Sequence, residues 1–145
     1  MTRWLLGGQR QLLRRSVGAS VWRAGRESAL LDDIIAGHKT IEGRLNRGKF
    51  AEYRVSDIVS LRRDYRDEAG VLRDGAPDVV RVEIVAIRHY KTFLDMVRTE
   101  GYQKVIPSAG SAEEAAADYD KYYTIVYLAA HGVRAIEVRL LPSTT

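Results

Sequence analysis

Apolar positions along this chain recur with two periods, and each period predicts its own elements. Leu30, Leu31, Ile34 and Ile35 share one face of a helix that Ser28 is placed to cap and Gly37 to stop. The stretch "VVRVEIVAIRHY" alternates instead, with Val80, Val82, Ile84 and Ala86 on one face of a strand. Its other face carries Arg81 and Glu83, then Val85 and Ile87, so one end is expected to be covered on both sides. Shorter strand patterns run through "ASVWRA" at 19–24, "TIEGRL" at 40–45, "YRVSDIVSLRR" at 53–63 and the closing "VRAIEVRLL". Between Arg63 and Asp78 the polar run with Asp74-Gly75 and Pro77 predicts a long exposed hairpin loop.

Helices dominate the stretch before the last strand. Thr92 caps "FLDMVRTE", which gathers Phe93, Met96 and Val97 and ends at Gly101. "YQKVIPSAG" is read as a loop. Ser111 and Glu114 form a capping box for "AEEAAADYDKYY", and Thr124 restarts a short helix that His131-Gly132 stops. About five strands and four helices result, without a phosphate-loop glycine pattern or a regular βαβ rhythm. This predicts an α+β fold: a small antiparallel or mixed β-barrel decorated by helices.

Composition changes that picture in two places. The 145 residues suffice for one core, no apolar run approaches the ~20 residues of a membrane span, and no cysteine is present. His38, His89 and His131 lie too far apart for the common metal motifs, so neither a metal nor a cofactor is expected. The net charge of +4 is unevenly spread: six arginines and no acid fall within residues 1–26, leaving 17 basic against 19 acidic residues beyond. Any nucleic-acid surface on the folded part must therefore be a local patch. Residues 1–18, rich in Arg, Leu and Ser, fit a mitochondrial transit peptide, or else a basic tail with a cytoplasmic protein behind it. The folded domain is taken as 19–145.

Candidate chemistry concentrates in "GHKTIEGRLNRGKF", residues 37–50. If 40–45 is a strand, its two-residue period sends Thr40, Glu42 and Arg44 to one face and Ile41 and Leu45 to the core. Gly43 leaves room for a backbone or ligand to approach. Lys39, at the carbonyl end of the preceding helix, is expected at the same pocket mouth, with Arg47 and Lys49 nearby. The plainer alternative is a solvated Glu42–Arg44 pair worth about 0–1 kcal/mol.

"GHKTIEGR" resembles the GxKxxExR signature of the ASCH domain family, relatives of the PUA-like RNA-binding barrels, with Gly37, Lys39, Glu42 and Arg44 at the defining places. The likeness continues through "VSDIVSL", "HYKTFLDMV", "EGYQKVIP" and "YYTIVYLAAHGVRAIEV". It implies a barrel of five to six mostly antiparallel strands acting on RNA or modified nucleosides, with no DNA partner and no membrane. The implied activities are RNA binding, cleavage of single-stranded RNA, or amide hydrolysis of N4-acetylcytidine. Amidohydrolase members carry a threonine three residues after the lysine, where this chain has Glu42. Their glutamate finds its nearest counterpart in Glu100.

The resemblance and the chemistry together cast Lys39 as a phosphate or carbonyl clamp and Glu42 as its orienting partner or a proton acceptor. Glu42 is expected to push the Lys39 pKa upward. Arg44 and Arg47 supply charge. Tyr123 and Thr124 are read as an opposite wall or as a core tyrosine and a helix cap, and Tyr90 as a base-stacking or a packing residue. A hydrolase is the first expectation, a non-catalytic module for a short single-stranded segment or nucleotide the second. A near-neutral domain suits a short ligand better than long RNA.

Overall fold

The computed structural model describes residues 20–142, so the extension read at 1–18 lies outside the described residues. Six strands form: β1 (Val21–Glu27), β2 (Ile41–Leu45), β3 (Ile58–Arg66), β4 (Leu72–Arg73), β5 (Val80–Tyr90) and β6 (Val133–Leu140). Six helices accompany them: α1 (Ser28–Ile35), α2 (Lys49–Glu52), α3 (Phe93–Glu100), α4 (Tyr102–Val105), α5 (Ala112–Asp120) and α6 (Ile125–His131). Against four expected helices, the two additions are the single turns α2 and α4. Among the described residues no helix is long and apolar enough to cross a membrane.

The ladder runs β1-β3-β5-β6-β2, with β4 added to β3, and every pairing is antiparallel except β1 with β3. One face packs Trp22, Leu31, Leu61, Val82, Ile84 and Ile136 under α1; the other packs Ile41, Leu45 and Val133 against Phe93, Met96 and Val97 of α3. Fully burying such side chains is worth about 1.5–3 kcal/mol each, so β2 and β6, covered on both faces, are firmly placed. The expected barrel is not closed by a ladder: among the described residues no backbone pairing joins the end strands β1 and β2. A buried side-chain bond spans them instead, Arg26 Nε donating to Glu42 Oε1 at 3.0 Å.

Several boundaries differ from the pattern, each for a local reason. The strand expected from residue 53 begins at Ile58, because Ser56 takes φ 81° and Asp57 N–H donates to the Arg54 carbonyl. The buried Asp57 carboxylate accepts from Ser20 N–H, Trp22 Nε1 and Arg54 N–H, tying the start of β1 to the start of β3. Ser28 opens α1 without capping it; its hydroxyl accepts from Arg63 at 2.6 Å. The long loop is shortened, since β3 runs to Arg66 and pairs back with β4. In β5 a bulge between Ile84 and Ala86 ends the expected face, leaving Val85 exposed and returning Ile87 to the core beneath Ile84.

The space beside Gly43 is filled by protein rather than open to a ligand. A Cβ there would stand 2.8 Å from Met96 Cε and 2.9 Å from the Tyr119 hydroxyl. Gly43→Ala is therefore expected to cost about 1–3 kcal/mol, read as a lowered urea midpoint with an unchanged slope.

Candidate functional site

The turn out of α1 delivers Lys39 inward. Gly37, at φ 82°, supplies the left-handed turn that ends the helix. Lys39 Nζ then donates to the Ile41 carbonyl at 2.8 Å and the Val105 carbonyl at 2.5 Å. It lies 3.6 Å from Glu42 Oε1 and is 3% exposed, so it does not stand at a pocket mouth. Glu42 also pairs through Oε2 with Arg44 at 3.0 Å, giving one carboxylate three cations: Arg26, Lys39 and Arg44.

The electrostatics follow from that ratio. Burial alone would raise the Glu42 carboxyl, yet Arg26, Lys39 and Arg44 together hold it far below the usual range. Lys39 is lowered by burial; Glu42 opposes this, but Arg26 and Arg44 draw on the same carboxylate and add to the lowering. The expected upward push from Glu42 is thus overcome.

The inner cavity bordered by Arg26, Glu42 and Tyr53 measures about 20 Å³, room for about one water and not for a nucleotide. The larger opening is a cleft of about 220 Å³ at the end of β2, lined by Arg44, Arg47, Lys49, Phe50 and Tyr123 among others. The Arg44 guanidinium lies 4.6 Å over the Phe50 ring and Lys49 Nζ lies 5.5 Å from it. Burial would lower Arg44, but Glu42 and a hydrogen bond with Tyr123 raise it. Lys49 is lowered, first by burial and then by Arg26, Arg44 and Arg62.

Arg134 lies behind this lining rather than in it, bonded to the backbone of Phe50 and Tyr53. It sits opposite Arg44 in the β2–β6 ladder, is buried, and is lowered by that burial. Its guanidinium donates to the Phe50 and Tyr53 carbonyls, which fixes α2, while its Nε finds no partner among the described residues. Among those residues neither Lys49 nor Arg134 forms an ion pair; Lys49 Nζ donates to the Arg23 carbonyl. The segments that build the cleft, 43–51 and 121–136, contain no aspartate or glutamate at all.

This buried lysine-glutamate-arginine cluster with a cationic cleft lies inside the region that a family model matches, that of the ASCH domain, over residues 28–142. The chain belongs to the ASCH domain family. Solved structures resemble it, two of them as follows. The crystal structure of hypothetical protein PH0355 has a TM-score of 0.69 at 30% identity, covering 83% of this chain and 99% of that one. The solution structure of protein PF0455 from Pyrococcus furiosus has a TM-score of 0.66 at 30% identity, covering 85% and 99%. None of the curated proteins matches.

Within the ASCH domain the residues singled out by sequence divide into three groups. Lys39, Glu42 and Arg44 come together, with Arg44, Arg47 and Tyr123 also reaching the cleft. Tyr123 stacks on Phe93 at 5.4 Å, so it is both wall and core. Thr124 serves as a cap, its hydroxyl accepting from Tyr127 N–H at 3.4 Å, and Thr40 precedes β2 with its backbone bonded to Lys104 and Val138. Tyr90 and Glu100 meet each other rather than the cleft: the Tyr90 hydroxyl donates to Glu100 at 2.5 Å, and Arg88 clamps the same carboxylate. Glu100 is lowered chiefly by that Arg88 clamp. Their strand parity places Arg88 and Tyr90 on the α3 side of the sheet, opposite Glu42.

Sequence reading missed Arg26, Phe50 and Arg134. Arg26 was counted with the basic extension, yet it continues the Trp22–Ala24 parity of β1, and an arginine on a buried parity is the signal of a paired interior charge. Arg134 likewise continues the Ile136–Val138 parity of β6, but the Phe50 and Tyr53 carbonyls it binds are distant in sequence.

Proposed function

We propose that this ASCH domain binds a nucleotide or a short single-stranded RNA segment in the cleft formed by Arg44, Arg47, Lys49, Phe50 and Tyr123. The observation that carries this reading is the surplus of positive charge: Glu42 is consumed by three cations, while Lys49 and Arg134 have carbonyl partners in place of carboxylates. A phosphate supplies the missing anion, and Arg44 and Tyr123 offer flat surfaces to a base. The near-balance of charge beyond residue 26 favours a short ligand over long RNA.

Hydrolysis is the second reading, and the lowered Lys39 amine supports it. It requires the substrate to reach a side chain now 3% exposed. Calorimetric titration with uridine and with UMP separates charge from base recognition: UMP is expected to bind at least about tenfold tighter, with affinity falling as salt rises. Equal affinity for the two would overturn the cleft reading. Incubation of single-stranded RNA and acylated cytidine with wild type and Lys39→Ala decides turnover; product that disappears in the variant would install the hydrolase in its place.

A further inference from the structure

The cleft does not end at Tyr123. Arg47, one of its walls, lies with its guanidinium 4.9 Å over the ring of Tyr127 on α6, and among the described residues it has no carboxylate partner. Tyr127 is 44% exposed, and the next ring along the helix, His131, lies 6.4 Å from it. Tyr127 and His131 are four residues apart, so they follow each other on one face of α6 about one 5.4 Å turn apart. Tyr123 stands just before Thr124, the N-cap of the helix. Arg47 thus joins the cleft, of which it and Tyr123 are walls, to the Tyr127–His131 pair.

Charge runs the same way. α6 lies beside β2, where Asn46 N–H donates to the Gly132 carbonyl, and the two acid-free segments 43–51 and 121–136 face each other along this line. Together they carry Arg44, Arg47, Lys49, Lys121 and Arg134. Arg44 is held by Glu42 and Lys121 by Asp118, whereas Arg47, Lys49 and Arg134 have no carboxylate partner among the described residues. Partly exposed rings beside such cations match the two requirements of a single strand: stacking surface for bases and positive charge for the connecting phosphates. The Ile125 and Val126 side chains, 79% and 70% exposed, point to a partly apolar flank, which a protein surface would use. The Arg47–Tyr127–His131 line is chemically different from that flank.

We infer that Tyr127 and His131, joined to the cleft by Arg47, form a second subsite that stacks the nucleotides adjacent to the one held in the cleft, so that the preferred ligand is a single-stranded oligonucleotide. This rests on the reading that the cleft takes a nucleotide. The subsite adds affinity through length, without requiring base identity, because every base offers a stacking face.

The test is a competition series with UMP and with oligouridylates of two, four and eight nucleotides against wild type, Tyr127→Ala and His131→Ala. In wild type, affinity rises roughly tenfold or more from UMP to the tetranucleotide. Tyr127→Ala abolishes most of that rise and His131→Ala part of it, while UMP affinity stays within about threefold. UMP binding with no dependence on length overturns the subsite and leaves the cleft reading standing; absence of binding by UMP and by every oligomer overturns both. A rise with length that survives in Tyr127→Ala overturns the subsite as well. So does a self-associated form, seen by sedimentation, that Tyr127→Ala disperses while the length dependence is unchanged.

Discussion

Glu42→Gln is expected to lower stability by about 3–5 kcal/mol, the cost of stranding buried charge, and the melting temperature by roughly 10–15 °C. The substitution preserves shape and leaves Arg26, Lys39 and Arg44 without the carboxylate they share. It also weakens the bond between β1 and β2, the two strands that no ladder connects, since a neutral amide oxygen replaces the carboxylate that accepts from Arg26. The sign with pH follows from the depressed carboxyl: Glu42 stabilises fully above its ordinary value of 4.5 and loses that contribution as pH falls toward the lower folded value. The gap between wild type and Glu42→Gln, measured by urea unfolding, should therefore be full at pH 7 and narrow below about pH 4.5.

Two further measurements bear on the cause. Glu42→Gln combined with Lys39→Met should recover part of the loss, since one stranded ammonium is removed. Raised ionic strength should leave most of the gap in place, because buried charges are screened far less than exposed ones. A Glu42→Gln protein as stable as wild type at neutral pH would mean that the cluster is solvated rather than buried.

The same cluster shows where sequence was sufficient and where it was not. Strand parity alone put Glu42 and Arg44 on one face, and the helix stop at Gly37 put Lys39 beside them. What parity does not contain is distance across the chain: Arg26 and Val105, which decide that Lys39 and Glu42 are buried and mutually occupied, arrive from β1 and α4. The expectation of Lys39 at a pocket mouth failed for that reason. Thr92, Ser111 and Thr124 were legible as caps because capping is a contact within four residues. Tyr90 takes the packing alternative beside Glu100, and their pairing with Arg88 depends on how α3 folds back over β5, which no local spacing records.

Arg44→Gln should weaken nucleotide binding about 10- to 100-fold, the worth of a hydrogen bond to a charged group, while the fold survives because Glu42 keeps Arg26 and Lys39. Lys49→Gln acts differently. Its amine is lowered in the free protein by burial and by Arg26, Arg44 and Arg62, so an arriving phosphate raises it, and near the lowered lysine value the complex takes up protons. Affinity for UMP is then expected to fall as pH rises through the lowered lysine value, and calorimetry in that alkaline range, in buffers of different ionisation enthalpy, should register proton uptake. Lys49→Gln diminishes that uptake and reduces the salt slope by about 1, with a smaller loss of affinity than Arg44→Gln. The two cations thus divide the work by position: Arg44, fixed between Glu42 and Phe50, sets geometry, and Lys49 on α2 supplies adjustable charge. Wild-type affinity in an Arg44→Gln, Lys49→Gln double variant would place the ligand somewhere other than this cleft.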